Sequence, residues 1–137
     1  MTTPVRDTQA MIAAMDPVLD KQLYCFVSPE QPGAALELMR HALATFREDE
    51  GLSLIVPARE AANAGIDTQH FARIILLVHS DLEGFGLTAA VSGVLAEAGI
   101  ACNVVAALRH DHLFVPARRA DEALALLRAL QERSPES

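Results

Sequence analysis

Tryptophan is absent from this chain, and one tyrosine and five phenylalanines are its only aromatic residues. A chain so poor in rings must build its interior from aliphatic side chains and alanine. Cysteine occurs twice, as Cys25 and Cys102, each inside an apolar, strand-like run. Neither belongs to a CxxC pair or a zinc spacing, so two buried thiols are expected, with no disulfide framework and no thiol chemistry. Basic residues are outnumbered: Lys and Arg total 11 against 18 Asp and Glu, for a net charge of −7. That balance argues against nucleic acid and against an anionic membrane as partners, because both reward clustered cations. No uninterrupted apolar run approaches the roughly 20 residues of a membrane span; the strongest, Ile74 to Val78, is strand-length. The start, Met1 to Asp7, lacks the charged head and apolar core of a signal peptide, so the expected location is the cytoplasm.

What is present is a repeated phrase. Val56-Pro57-Ala58-Arg59-Glu60-Ala61 returns as Val115-Pro116-Ala117-Arg118-Arg119-Ala120, 59 residues later. Each copy follows an apolar stretch and leads into an alanine-rich segment. The proline closes a strand, because it has no N–H for a ladder, and its fixed φ suits the helix start behind it. Polar turns precede both copies, Glu48 to Gly51 in the first and Arg109-His110-Asp111 in the second. The chain therefore reads as two copies of one unit, which takes precedence over other fold signals.

The rest of the pattern agrees. Ala10 to Met15 is a short amphipathic stretch ended by Asp16-Pro17, and Leu23 to Val27 a strand. Ala34 to Arg40 forms two helical turns. Leu43 to Arg47 and Leu52 to Val56 make a hairpin, and Ala58 to Ala64 is a helix stopped by Gly65. The aliphatic run Ile74 to Val78 predicts a central strand covered on both faces. Residues His79 to Gly86 form a loop. Leu87, Val91, Val94, Leu95 and Ala98 then mark one face of a helix that Gly99 ends. Cys102 to Leu108 and His112 to Val115 are strands, Ala123, Leu124, Leu127 and Leu130 a second helical face, and Ser134 to Ser137 a frayed tail. The order is βαββα twice, an α+β, ferredoxin-like arrangement. Each copy is one strand short of βαββαβ, so either the copies exchange strands or the N-terminal segment supplies one. With no linker between them, the expected organisation is an N-terminal segment (1–21), a first module (22–68) and a second (69–133) packed as one compact body. A hydrophobic fraction of 51% suggests apolar surface hidden in a homo-oligomer.

Phe71 to Ser80, Gly86-Leu87-Thr88, Val94 to Ile100, Asn103 to Ala107 and Asp111 to Pro116 together resemble an ACT domain. The first half, through Leu43 to Val56, is similar to a family of small, largely uncharacterised bacterial proteins made of paired ACT modules. The chain resembles, more distantly, the paired ACT domains of cytosolic arginine sensors. The resemblance implies a non-catalytic regulatory protein that binds a small amino acid, or something like one, where ACT modules meet. It implies no cofactor. The alternative is an ACT-fold assembly module that has no ligand.

Candidate site residues follow from the residues and that resemblance. Gly84 and Gly86 allow positive φ and close approach to backbone N–H groups. The helix start behind them, at Leu87 and Thr88, carries partial positive charge suited to a carboxylate. Ser80 and Thr88 could add hydroxyls. The same glycines would also serve a plain strand-to-helix turn. Asp111 lies where the resembling sensors hold an acidic residue against their ligand, although aspartate also favours turns in its own right. Ala107, beside it, completes the set of Ser80, Gly84, Gly86, Leu87, Thr88, Ala107 and Asp111. Asp49, taken as the counterpart of Asp111, sits in an acidic hairpin tip. His79, His110 and His112 invite a metal, since His-x-His on a strand shares one face, but the turn at Asp111 breaks that geometry and no further ligand completes a set. Ser80 and Ser92 lack any nucleophile context. Arg59, Arg118 and Arg119 read as surface residues of a first helical turn.

Overall fold

Strands interleaved with helices that bury one side give an α+β architecture in the computed structural model, which describes residues 3–134. The tail read at Ser134 to Ser137 lies, apart from Ser134, outside the described residues, as do Met1 and Thr2. In order the elements are α1 (Thr8–Ala13), β1 (Pro17–Val27), α2 (Pro32–His41), β2 (Ala44–Glu48), β3 (Gly51–Pro57), α3 (Ala58–Asn63), β4 (Phe71–Leu76), α4 (Leu87–Glu97), β5 (Asn103–Ala106), β6 (Asp111–Pro116), a 3₁₀ turn (Ala117–Arg119) and α5 (Ala120–Arg133). The βαββα order expected from the sequence is present twice, and each proline of the repeated phrase closes a strand directly ahead of helical turns.

The chain divides into two compact units. The smaller comprises Lys21–Phe71; the larger joins the residues up to Asp20 with those from Ala72 onward. In the smaller unit the strands run β2-β3-β1, antiparallel, with Phe46 opposite Ser53 and Cys25 opposite Val56. One face buries Cys25, Val27, Leu54 and Val56 against Leu38 of α2 and Ala61 of α3. In the larger unit β4, β6 and β5 are neighbours in that order, and β5 pairs antiparallel with β6 from Asn103 opposite Phe114 to Ala106 opposite Asp111. Ile74, Leu76, Leu113 and Val115 meet Leu87, Val91 and Leu95 of α4, Ala123 and Leu127 of α5, and Met11 and Met15 from the N-terminal residues. Burying side chains of this kind contributes about 1.5–3 kcal/mol each.

Several elements differ from the sequence reading, and β5, expected over Cys102 to Leu108, is confined to Asn103–Ala106. β1 begins at Pro17 and not at Leu23, and its 11 residues fall in both units. Leu19 packs on the larger core, Cys25 and Val27 on the smaller. Asp20-Lys21-Gln22 hides this length, because a polar interval interrupts the apolar run. Structurally it is no interruption: Asp20 pairs with Arg73 of β4 at 3.0 Å. β4 itself is buried on alternate residues only, Ala72, Ile74 and Leu76, while Phe71, Arg73 and Ile75 are half-buried and Leu77 beyond it is exposed. The continuous aliphatic run is thus a one-faced strand whose second face carries an ion pair.

Candidate functional site

The loop from β4 to α4 takes its shape from the N-terminal segment. Val5 forms a parallel bridge with Ser80: its N–H donates to the His79 carbonyl at 2.7 Å and its carbonyl accepts from Asp81 N–H at 2.8 Å. Arg6 reaches Glu83 at 3.0 Å and Asp81 at 3.4 Å. Asp81 also accepts the Glu83 N–H at 2.8 Å, and that bond, with Arg6 beside it, holds its carboxyl below the usual range. Thr8 donates its hydroxyl to the Phe85 carbonyl at 2.5 Å. The glycines are explained by these contacts. Gly86 has φ +105°, and a Cβ on it would stand 2.5 Å from Thr8 Cγ2; one on Gly84 would stand 3.1 Å from the Asp81 carbonyl oxygen and 3.3 Å from that of Arg6.

Beside this loop lies a cavity of about 490 Å³ within the larger unit. Ser80, Gly84, Gly86, Leu87, Thr88, Ala107 and Asp111 all line it, together with Met11, Asp81, Leu82, Phe85, Ala89 and Ala106. The structure therefore brings together all seven residues of the expected ligand set and adds six. Of the additions, Leu82 and Phe85 left a trace in the sequence, as apolar residues in an otherwise polar, glycine-flanked loop. Met11 left none, because nothing local says that an N-terminal helix will close a loop some 70 positions away.

Two features give the cavity its chemistry. Asp111 is the first residue of β6, opposite Ala106, and is only 8% exposed. It is not part of the turn, as its sequence neighbours suggest; the turn is residues 107–110, closed by Ala107 N–H donating to the His110 carbonyl at 3.1 Å. The one hydrogen-bond partner of its carboxylate among the described residues is Ser80 Oγ at 3.4 Å, a long contact. Burial pushes the Asp111 carboxyl up from its ordinary value, and Ser80 and the nearby His110 offset this only in part. The second feature is the start of α4. Gly86 is its N-cap and supplies no side-chain bond, and the first helical bond is Ala90 N–H to the Gly86 carbonyl at 2.9 Å. The N–H groups of Leu87, Thr88 and Ala89 have no partner within the helix, and all three residues line the cavity. A buried carboxylate that accepts and a helix start that donates match the two ends of a zwitterion.

The remaining candidates are placed elsewhere. His110 lies in the turn, and its buried Nδ1 has no hydrogen-bond partner among the described residues. His112 lies in β6, where its Nδ1 accepts from Arg73 at 3.0–3.1 Å while Arg73 holds Asp20. Burial, then the Arg73 charge, lowers its pKa, so the ring is neutral with its proton on Nε2. Among the described residues no three His, Cys, Asp or Glu side chains are grouped to hold a metal ion. Ser92 donates to the Thr88 carbonyl at 2.6 Å along its own helix. Arg119 is more than a surface residue: it pairs with Glu122 at 2.8 Å and donates to the Ala98 carbonyl at 3.0 Å, closing the C-terminal end of α4. Cys25 and Cys102 are free thiols with pKa values raised by burial. No helix among the described residues is long and apolar enough to cross a membrane.

A family model described as the ACT domain matches residues 3–73, and a second of the same description matches 69–129. The chain belongs to the ACT-domain family. A solved structure from Vibrio cholerae, described as a protein of unknown function and possible transport protein, is 41% identical over 87% of this chain and 91% of that one, with a TM-score of 0.76. The regulatory subunit of aspartate kinase from Thermus thermophilus, in its ligand-free form, is 15% identical, covering 85% of this chain and 97% of that one, and shares the fold with a TM-score of 0.56. No curated protein matches the chain. Within this ACT pair, Met11 is, among the described residues, the one cavity residue outside the second match.

The two ACT repeats differ at the positions that matter. Alignment on the repeated phrase sets Asp111 opposite Leu52, and not opposite Asp49, which lies in an exposed two-residue tip. Leu52 packs against the apolar core of the smaller unit. α2, the counterpart of α4, opens on Pro32, which has no N–H to offer. Only the second repeat combines a carboxylate with a donating helix start.

Proposed function

We propose that this ACT pair is a non-catalytic regulatory protein of the cytoplasm that binds a small, amino-acid-like zwitterion in the cavity of its second ACT domain. One observation carries the reading. Asp111 is nine-tenths buried with a single 3.4 Å contact, and it shares its cavity with the uncapped start of α4. A buried carboxylate without good partners costs stability, and an ammonium group would supply what it lacks. The ligand's carboxylate would sit at the N–H groups of Leu87 to Ala89, with Ser80 and Thr88 as hydroxyl neighbours. Kinship with regulatory ACT domains supports a role in which occupancy shifts the chain between states, as a homo-oligomer or toward a protein partner; only a ligand that prefers one state can do so.

The test is a melting experiment on the full chain with each of the twenty amino acids at millimolar concentration. A specific binder at one hundred times its Kd stabilises by about 2.7 kcal/mol, and Asp111→Asn should abolish the shift. Twenty flat curves would sink the proposal. A second reading, an assembly module without a ligand, draws on Leu82, Phe85 and Leu108, which stand 68%, 80% and 63% exposed. Sedimentation distinguishes it: an oligomer indifferent to every amino acid supports assembly alone.

A further inference from the structure

We infer that the cavity selects an amino acid with an apolar side chain. The inference rests on the zwitterion reading above and concerns what is left of the cavity once the two ends of the ligand are placed. Those ends use Asp111 and the start of α4. The only other charged side chain lining the cavity, among the described residues, is Asp81. It is already committed, to the Glu83 N–H at 2.8 Å and to Arg6 at 3.4 Å. Among the described residues no Lys, Arg, His or Glu lines the space.

A basic side chain would therefore enter against a carboxylate already engaged, and an acidic one would add a third negative charge beside Asp81 and Asp111 without a cation to meet it. Both would lose hydration against apolar walls without repayment in hydrogen bonds. Apart from Ser80, Thr88 and the two glycines, the walls that remain are methionine, leucine, phenylalanine and alanine. Met11 is 1% exposed and forms a fixed surface, whereas Leu82 and Phe85 stand 68% and 80% exposed on the loop. An apolar ligand side chain gives these two rim residues the cover that the chain itself does not provide.

Titration calorimetry on the full chain tests this with alanine, valine and leucine as a graded series, and with lysine, arginine, aspartate and glutamate as the charged set. Affinity should rise along the series by roughly fourfold for each added CH₂, and every charged amino acid should bind more weakly than leucine. Phe85→Ala, at an exposed position where folding is not at stake, should weaken leucine by about fivefold, the effect of roughly 40 Å² of lost apolar contact. A flat or falling series, or arginine or lysine binding more tightly than leucine, overturns the inference. If that tighter binding disappears in Asp111→Asn, the zwitterion site stands and only its selectivity was misread. Silence from all seven amino acids, with flat melting curves for the rest, overturns both.

Discussion

Asp111 is a carboxylate placed where the rest of the strand wants an aliphatic residue. Burial raises its pKa above the ordinary 3.8, so the folded protein holds the proton more readily than the unfolded chain does. The linkage then runs in one direction: above the folded pKa the buried charge reduces stability, and as pH falls through that pKa toward 3.8 the penalty is removed. Asp111→Asn, tested without ligand, is accordingly expected to melt roughly 2–4 °C above the parent at pH 7, with the gap closing by pH 4. Scanning calorimetry across that range checks it, and a parent that outmelts the variant at neutral pH would give Asp111 a structural role instead. The sequence made this residue visible as a charge beside an apolar strand. Its burial was not visible, because Arg109, His110 and Asp111 are equally polar and only the pairing of Ala106 with Asp111 decides which of them starts the strand.

At the scale of elements, α1 is a six-residue helix, too short to persist without its ends secured. Asp7 caps its start, accepting the Ala10 N–H at 2.9 Å. Its far end is held by a residue 118 positions away: Gln131 of α5 donates to the Ala13 carbonyl at 2.8 Å and accepts the Asp16 N–H at 3.0 Å. Asp16 itself has φ +44°, an uncommon conformation for a residue with a Cβ, and Pro17 fixes the chain directly behind it. Gln131→Ala should therefore cost about 1–3 kcal/mol, read as a lowered denaturation midpoint. It should also weaken any cavity ligand, since α1 carries Met11. A variant that keeps the parent midpoint would mean that the clamp is idle. The amphipathic faces of α4 and α5 and the βαββα order could be read from periodicity alone. The clamp could not, nor the full span of β1, because a glutamine on an exposed-looking helix and a polar triplet within a strand acquire meaning only from partners distant in sequence.

Taken as a whole, the molecule is a duplication in which one copy carries a buried carboxylate beside a donating helix start and the other an apolar residue and a proline in the same places. Leu52 and Pro32 leave the first repeat with no charge to offer an ammonium and one donor fewer for a carboxylate. Calorimetric stoichiometry should accordingly be one ligand per chain; two would mean that the first repeat binds by chemistry of its own. The segment Val5 to Thr8 bears on how such measurements are made. Val5 is hydrogen-bonded on both sides to the loop that walls the cavity, so a purification handle joined ahead of Met1 is separated from Val5 by only four residues. Tension or bulk applied there acts directly on the loop, and a ligand screen run with a fusion at that end measures the fusion as much as the pocket.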